Sequence, residues 1–287
     1  MIRRPPRSTQ GVSSAASDVY KRQEMYEELT CFKAYDIRGE IDININEEIA
    51  YRVGRSVAQH FNSKSIVVGF DARKTSPDFA KAVGQGIMDA GSNLIDIGLA
   101  GTEEMYWAVS NFSASAGIMV TASHNPINYN GMKIVKSDSR PLDDNEDFKA
   151  IKNLAETEKW AKTDNKASHL DYSNQARSEY VTKVLSFVNR NELKPLKIVI
   201  NSGNGAAGPT FDAIEKKLNT NYPKIEFVRV DHIPDSTFPN GIPNPLLLEN
   251  HHKTADIVKN VGADFGVAFD GDFDRCFFFD ETGKFVP

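Results

Sequence analysis

The sequence predicts an α/β protein made of two consecutive domains, each with a mixed, largely parallel sheet covered by helices. From Cys31 onward, short β-rich runs alternate with amphipathic helical stretches, which is the pattern of strands joined by helical crossovers. A polar stretch without either periodicity, Trp160–Ala176, divides this alternation into two parts of similar size. A chain of 287 residues with 40% apolar residues can bury two cores.

The strands are predicted from apolar, β-branched runs that turn-forming residues bound. In chain order they are Ser65–Phe70, Asn93–Gly98, Ala116–Thr121, Met132–Lys136, Leu196–Ile200, Ile225–Val230 and Phe265–Phe269. The first helices have recognisable ends. Asn46 is expected to cap one helix, and the next is expected to start with Ser76 as N-cap and Pro77 in the first position, and to stop at Gly91.

The two ends of the chain differ from its body. Residues 1–23 carry five basic side chains and one acidic side chain without apolar periodicity, so we interpret them as a non-native or disordered leader. We assign residues 29–160 to the first domain and residues 177–282 to the second. Glu281–Gly283 predicts a hairpin turn. Residues 283–287 are interpreted as the start of a third, truncated domain.

Composition excludes several classes of partner. Without the leader the chain has 29 basic and 38 acidic side chains, an excess that argues against nucleic acid or an anionic membrane as a partner. The longest segment without a charge, Met105–Met132, is rich in Ser, Asn and Thr and cannot span a bilayer. Cys31 and Cys276 are too few for a disulfide framework or a zinc cluster. We therefore expect a soluble, cytoplasmic protein.

The segment "AFDGDFDRCFFF" indicates a metal site. Asp270, Asp272 and Asp274 follow an apolar strand at spacings of two, so their carboxylates can converge on one point. Three close carboxylates repel one another and favour a hard divalent cation, Mg²⁺ or Ca²⁺. The alternative without a function is a solvated acidic turn.

Two known motifs match part of this segment. An EF-hand loop would use Glu281 together with the three aspartates, but Arg275 stands where that loop requires glycine, and strands flank the segment. A haloacid-dehalogenase-type phosphatase would use Asp270 as nucleophile, but the third aspartate and Arg275 do not fit that pattern.

A glycine-rich turn matches the dinucleotide-binding fingerprint. Gly203, Gly205 and Gly208 form G-x-G-x-x-G between a strand and a helix, and Asp231 ends the next strand. A nicotinamide-dependent dehydrogenase is therefore a competing hypothesis. We favour a structural strand-to-helix turn, because a cofactor there would leave the aspartates without a role.

The stretch "TASHNP" contains a serine that could be a nucleophile, a phosphate carrier or an ordinary loop residue. His124 adjoins Ser123, and neighbours on an extended loop point apart, so we expect His124 not to activate it.

Two basic residues are candidates for contacts with a phosphate. A turn at Asn130 would return Lys133 toward Ser123 as acid/base or phosphate ligand, although an edge-strand lysine fits equally. Arg38, in a turn, offers a planar fork for phosphate or is a surface arginine.

Together these residues suggest an anionic substrate handled by a metal, a serine and several cations. A phosphorylated Ser123 facing Mg²⁺ would give each of them a role, because phosphoserine carries nearly two negative charges that the aspartates tolerate only with a cation between them.

At this point the chain resembles the α-D-phosphohexomutases over Leu29–Phe285. The resemblance is carried, in the family's order, by "YDIRG", "TASHNPINYNGMK", "NSGNGAAG", "FPNGIPNPLLLEN" and "AFDGDFDRC". The segment "GTEEMYW" is most similar to that of bacterial phosphomannomutases, and phosphoglucomutase is the nearest alternative.

The resemblance implies a ligand set and a reaction. It implies that Mg²⁺ is bound by phosphorylated Ser123, Asp270, Asp272 and Asp274. It also implies that the phosphoryl group is surrounded by Arg38, His124, Lys133 and Arg275. The implied reaction interconverts mannose 6-phosphate and mannose 1-phosphate through a hexose 1,6-bisphosphate, for GDP-mannose biosynthesis.

The family has four domains, with a sugar-recognition loop in the third and a phosphate-binding loop in the fourth. The resemblance therefore implies that this chain carries the phosphoserine and metal half of the site, and that it is inactive or severely impaired by itself. A metal-binding α/β fragment without activity is the hypothesis from a different class.

Overall fold

The computed structural model describes residues 28–219 and 225–287, which form two α/β units, each built around its own sheet. The predicted leader, residues 1–23, lies outside the described residues. Within them, none of the helices combines the length and the apolar content that a membrane span requires.

The first sheet is mixed, as predicted. Its described strands are β1 (Ile37–Glu40), β2 (Ser65–Phe70), β3 (Asn93–Leu99), β4 (Ala116–Val120), β5 (Tyr129–Lys136), β6 (Arg140–Pro141) and β7 (His169–Asp171). They are ordered β1-β5-β4-β2-β3-β7, with β6 beside β5. Strands β4, β2, β3 and the edge strand β7 are parallel, whereas β5 is antiparallel to both β4 and β1.

Helices cover both faces of this sheet. They are α1 (Glu47–His60), α2 (Ser76–Asp89), α3 (Thr102–Asn111), α4 (Lys149–Thr157) and α5 (Ser173–Leu185). A hydrophobic core lies on each face of the sheet. Helices α1, α2 and α4 pack in one core and α3 packs in the other. Because neighbouring residues of a strand face opposite sides, Ile118 of β4 lies in the first core and Met119 in the second. Strand β4 is buried on both faces, which explains its unbroken apolar run.

The second sheet has the same layered arrangement. Its described elements are β8 (Leu196–Asn201), α6 (Ala207–Asn219), β9 (Ile225–Val230), α7 (His252–Val261), β10 (Phe265–Phe269), β11 (Cys276–Asp280) and β12 (Phe285–Val286). The order is β12-β11-β10-β8-β9, with β10, β8 and β9 parallel and the other pairs antiparallel. Helices α5 and α6 pack on one face, and α7 packs on the other. The predicted fold class is confirmed.

The polar stretch between the predicted domains is not a simple linker. Within Trp160–Ala176, residues His169–Asp171 form β7, which extends the first sheet beside β3. The strand has three residues at the sheet edge, and its His169 and Asp171 side chains are exposed, so it leaves no apolar periodicity. Helix α5 then begins at Ser173, inside the same stretch.

The last residues also differ from expectation. The hairpin at Glu281–Gly283 is present, and Gly283 has φ of +76°. Phe285, placed in a third domain by the sequence, instead pairs with Phe279 in the second sheet and stacks on the ring of His251 at 4.4 Å. The sequence pattern could not show this pairing, because β12 has two residues.

The helix starts are partly as predicted. Asn46 caps α1, and its side chain accepts a hydrogen bond from the backbone of Ile49 at 2.9 Å. The N-cap of α2 is Thr75 and not Ser76. The Ser76 hydroxyl donates to Asp71 instead, at 2.6 Å.

The two units meet where β10 ends. The backbone N–H of Thr102, at the start of α3, donates to the carbonyl of Asp272 at 3.0 Å, and its hydroxyl donates to the Asp272 carboxylate at 2.6 Å. A Cβ on Gly101 would lie 2.4 Å from the Phe273 ring, so the glycine leaves room for this contact. The aspartate loop of the second unit therefore lies directly against the first unit.

Candidate active site

The serine loop connects β4 to β5. Ser123 has φ of +51°, a left-handed conformation that is uncommon for residues other than glycine, and it is 5% exposed. Its backbone N–H donates to the hydroxyl of Thr121 at 2.8 Å, and that hydroxyl donates to the carboxylate of Asp71 at 2.7 Å. These two hydrogen bonds, through Thr121 to Asp71, stabilise the turn at Ser123.

Arg73 supports the same loop and was not found from the sequence. Its guanidinium donates to four backbone carbonyls, at 2.6 to 3.0 Å, those of Ser123, Asn125, Pro126 and Tyr129. The side chain is nearly fully buried beside Asp71. In the sequence, Arg73 is recognisable only as part of an Asp-x-Arg pair that follows β2. The spacing of this pair does not predict that Arg73 contacts the serine loop.

The three aspartates converge as predicted. One carboxylate oxygen from each of Asp270, Asp272 and Asp274 lies within 4.8 Å of the others. Asp270 and Asp272 are fully buried. The Oδ1 atoms of Asp272 and Asp274 are buried without a hydrogen-bond partner in the part of the chain that the structure describes. Unpaired buried carboxylate oxygens are costly, so this donor set fits a hard divalent cation.

Ser123 and the aspartate loop are in direct contact. The Ser123 hydroxyl donates to Asp270 Oδ2 at 2.9 Å and accepts from Arg275 Nη2 at 3.0 Å. Arg275 also pairs with Asp270 Oδ2, through Nε at 3.0 Å and Nη2 at 2.5 Å. The structure thus brings together the predicted phosphate carrier, one predicted metal ligand and one predicted phosphate ligand.

His124 is closer to the serine than we expected. Because Ser123 is left-handed and not extended, the two side chains do not point apart, and His124 Nδ1 lies 3.3 Å from Ser123 Oγ. The same nitrogen is 2.5 Å from Arg275 Nη2, which is a donor, so Nδ1 accepts that hydrogen bond. Its lone pair is therefore already used.

Lys133 and Arg38 lie around the site, in places that differ from the prediction. Lys133 Nζ pairs with Asp272 Oδ2 at 2.6 Å and with Asp274 Oδ2 at 2.7 Å, and these carboxylates, not Ser123, are its partners. Arg38 lies in β1 and not in a turn, and it reaches the serine loop through Asn125 Oδ1 at 3.0 Å.

Burial and charge set the protonation of this cluster. Burial and the neighbouring carboxylate of Asp272 raise the pKa of Asp270 to about 6. Burial would also raise the pKa of Asp272, but the charge and hydrogen bond of Lys133 outweigh it and lower that pKa. Burial would lower the pKa of Lys133, and the two aspartates instead hold it above its usual range. Partial burial and the charge of Arg275 lower the pKa of His124.

The glycine-rich turn serves packing against the aspartate loop. A Cβ on Gly205 would lie 2.7 Å from the carbonyl oxygen of Gly271, and one on Gly208 would lie 2.0 Å from that of His232. The Asp231 carboxylate accepts from the Asn240 amide at 2.7 Å. These close backbone contacts favour the structural interpretation of the motif over a dinucleotide site.

Comparison with known proteins gives one family for both units. The phosphoglucomutase/phosphomannomutase α/β/α domain I matches residues 30–162, and domain II of the same family matches residues 178–283. The chain is 47% identical over 258 residues to a phosphomannomutase of Salmonella montevideo and 48% identical over 264 residues to one of Vibrio cholerae. Each alignment covers 90% of this chain and 57% of the relative.

A solved structure agrees with the sequence comparison. The phosphoglucomutase/phosphomannomutase family protein from Burkholderia thailandensis has a TM-score of 0.78 at 28% identity, covering 89% of this chain and 56% of that one. The chain thus spans somewhat more than half the length of these relatives, and it belongs to the phosphoglucomutase/phosphomannomutase family, with domains I and II of that family present.

Proposed function

We propose that this chain carries the phosphoserine and metal half of a phosphohexomutase that interconverts mannose 6-phosphate and mannose 1-phosphate. The observation that carries the proposal is the convergence at Ser123 Oγ, which contacts Asp270 from the second unit and Arg275 beside it. A serine hydroxyl held between a carboxylate and a guanidinium, next to a carboxylate cluster, suits an oxygen that exchanges a phosphoryl group.

In the proposed reaction the phosphoryl group moves between Ser123 and the sugar. The P–Oγ bond of phosphoserine breaks while a bond forms between phosphorus and a hydroxyl oxygen of the hexose phosphate, giving a hexose 1,6-bisphosphate. The hydroxyl proton passes to a base, and Oγ is reprotonated. Return of the other phosphoryl group to Ser123 completes the isomerisation.

The cations around Ser123 would stabilise the transferred charge. Arg275 Nη2 lies 3.0 Å from Oγ, and its fork can bind phosphoryl oxygens through two nitrogens. Arg38, on β1, contacts the same loop by donating a hydrogen bond to Asn125 Oδ1 at 3.0 Å. Positioning and charge stabilisation of this kind account for most catalysis of phosphoryl transfer.

Two further side chains complete the surroundings of Ser123. His124 Nδ1 lies 3.3 Å from Ser123 Oγ and accepts a hydrogen bond from Arg275 Nη2, so we propose that His124 positions this guanidinium beside the serine. Lys133 Nζ pairs with Asp272 and Asp274, so we propose that its positive charge also stabilises the oxygens of a transferred phosphoryl group.

Asp270, Asp272 and Asp274 would hold Mg²⁺, because one oxygen from each converges with the others and because, among the described residues, Asp272 Oδ1 and Asp274 Oδ1 have no hydrogen-bond donor. When bound, the cation would supply positive charge beside a phosphorylated Ser123.

The sugar and the pathway are inferred from the relatives. Proteins 46–48% identical to this chain are named phosphomannomutase, which favours mannose, whereas the family models carry both sugar names, which makes glucose the second candidate. We propose mannose 1-phosphate for cytoplasmic GDP-mannose synthesis as the product. Because the chain spans 57% of those relatives, we expect phosphoryl exchange at Ser123 but severely impaired turnover.

Phosphorus NMR tests this proposal on the chain itself. With Mg²⁺ present, a hexose 1,6-bisphosphate should lose one phosphoryl group per chain and release hexose monophosphate in a single turnover, faster for mannose than for glucose. A faster reaction with glucose would indicate phosphoglucomutase. Absence of any release with both sugars would instead favour an inactive metal-binding fragment.

A further inference from the structure

The acidic cluster already contains a cation from the protein. Lys133 Nζ lies 2.6 Å from Asp272 Oδ2 and 2.7 Å from Asp274 Oδ2, while Arg275 pairs with Asp270. Each of the three carboxylates that could bind a metal therefore has an ion-pair partner, and two positive charges oppose three negative ones.

The position of Lys133 is fixed by the fold. It lies on β5 directly opposite Met119 of β4, and its side chain is 19% exposed. The hydroxyl of Thr102 lies 3.5 Å from Nζ and also donates to Asp272 Oδ2. The ammonium group thus has neighbours on several sides and little solvent to move into.

The remaining oxygens show where a second cation would enter. Asp272 and Asp274 use Oδ2 for Lys133, and their Oδ1 atoms are buried without a hydrogen-bond partner among the described residues; Arg275 Nε lies 3.6 Å from Asp274 Oδ1. A divalent ion bound to those Oδ1 atoms would share both carboxylates with the ammonium group. A divalent cation and an ammonium group that share two carboxylates in a buried site repel each other strongly.

We propose that Lys133 is a resident counter-ion of the aspartate cluster that competes with the divalent cation and holds its affinity down. The inference rests on the proposed metal site of the preceding section and concerns how that site is regulated. Entry of the cation weakens the Lys133 ion pairs and makes the ammonium available to a phosphoryl group on Ser123. Lys133 would therefore exchange a carboxylate partner for a phosphate partner as the metal binds.

The test is a titration of the 287-residue chain with Mn²⁺ alone, followed by loss of the free-ion EPR signal. Lys133→Gln removes the charge and keeps a hydrogen-bond donor, and it should bind Mn²⁺ at least about tenfold more tightly than the wild type. Lys133→Arg keeps the charge and should stay within about threefold of the wild type. Lys136→Gln, on the same strand but paired with Asp147, is the matched control and should leave the Mn²⁺ affinity unchanged.

Each result has a definite meaning. Unchanged or weaker binding by Lys133→Gln, or equal tightening by Lys133→Arg, overturns the inference while the metal site stands. Absence of Mn²⁺ binding in the wild type and in Lys133→Gln alike would instead remove the proposed metal site itself. As a second measurement, Mn²⁺ should raise the melting temperature of Lys133→Gln more than that of the wild type, and a smaller rise would also contradict the proposal.

Discussion

Arg73 holds the backbone of Ser123: its Nη2 donates to the Ser123 carbonyl oxygen at 3.0 Å. Both residues are buried, and the same guanidinium holds three further carbonyls of the loop. Because Ser123 has a left-handed φ of +51° without being glycine, its conformation depends on such outside support. Arg73 thus determines where the candidate phosphate carrier points.

We therefore expect Arg73→Lys to uncouple Ser123 from the metal site. A lysine ammonium cannot reach four carbonyls, and each unsatisfied buried carbonyl costs about 1–3 kcal/mol. Phosphorylation of Ser123 by hexose 1,6-bisphosphate should slow at least about tenfold. Mn²⁺ affinity, which we assign to the three aspartates and Lys133, should change less than about twofold. Arg140→Lys, at an exposed position, is the control, and wild-type phosphorylation of Arg73→Lys would refute the assignment.

Asp272→Asn should weaken divalent metal binding. The change replaces an anionic ligand with a neutral one and also removes the carboxylate that pairs with Lys133. Calorimetric titration should show a loss of affinity of at least about tenfold. Asp256→Asn, exposed on α7, should bind as the wild type does. Equal affinities for Asp272→Asn and the wild type would place the metal elsewhere.

The chain should lose stability in acid partly through Asp147. Burial would raise the pKa of Asp147, but hydrogen bonds from His60 and Lys136 lower it from 3.8 to about 2. A lowered acid pKa stabilises the fold above about pH 4, and that contribution disappears as the pH falls toward 2. Asp147→Asn should cost about 1–2 kcal/mol in urea unfolding at pH 7 and almost nothing near pH 2.

The neighbouring exposed residue Asp144 supplies the control for that series. Asp144→Asn should leave the free energy of unfolding within about 0.5 kcal/mol of the wild type at each pH. A cost of Asp147→Asn that does not depend on pH would show that the ion pairs are not responsible.

Ser123 should not react with a serine-directed fluorophosphonate. Its hydroxyl donates to Asp270, and the His124 Nδ1 lone pair accepts from Arg275, so the histidine lacks a free lone pair toward the serine. Intact-mass measurement should show the wild-type chain unlabelled under conditions that saturate a serine hydrolase. Rapid labelling that Ser123→Ala abolishes would indicate an acyl-transfer nucleophile instead.

The sequence predicted what depends on local pattern. Strands such as Ser65–Phe70 and Phe265–Phe269 have the predicted bounds, because buried strands need continuous apolar runs. The convergence of the aspartates was also predictable, since their alternate spacing after a strand restricts where the carboxylates lie.

What the sequence missed depends on contacts between distant segments. Arg73 contacts carbonyls about fifty residues away along the chain, and Lys133 finds its partners in the other unit, more than a hundred residues on. Every residue has a backbone carbonyl, so the sequence does not show which carbonyls accept hydrogen bonds from a buried arginine such as Arg73. The left-handed turn at Ser123 was missed for a similar reason, since Thr121 and Asp71 hold it through hydrogen bonds.

Peptide mapping shows directly whether Ser123 carries the phosphoryl group. The chain is incubated with hexose 1,6-bisphosphate and Mg²⁺, digested, and analysed by peptide mass spectrometry, with Ser123→Ala and Ser137→Ala treated in parallel. We predict one phosphoryl group, on Ser123, in the wild type and in Ser137→Ala, and none in Ser123→Ala. A wild-type chain without phosphate on Ser123, or equal phosphorylation of Ser123→Ala, would show that Ser123 is not the phosphate carrier.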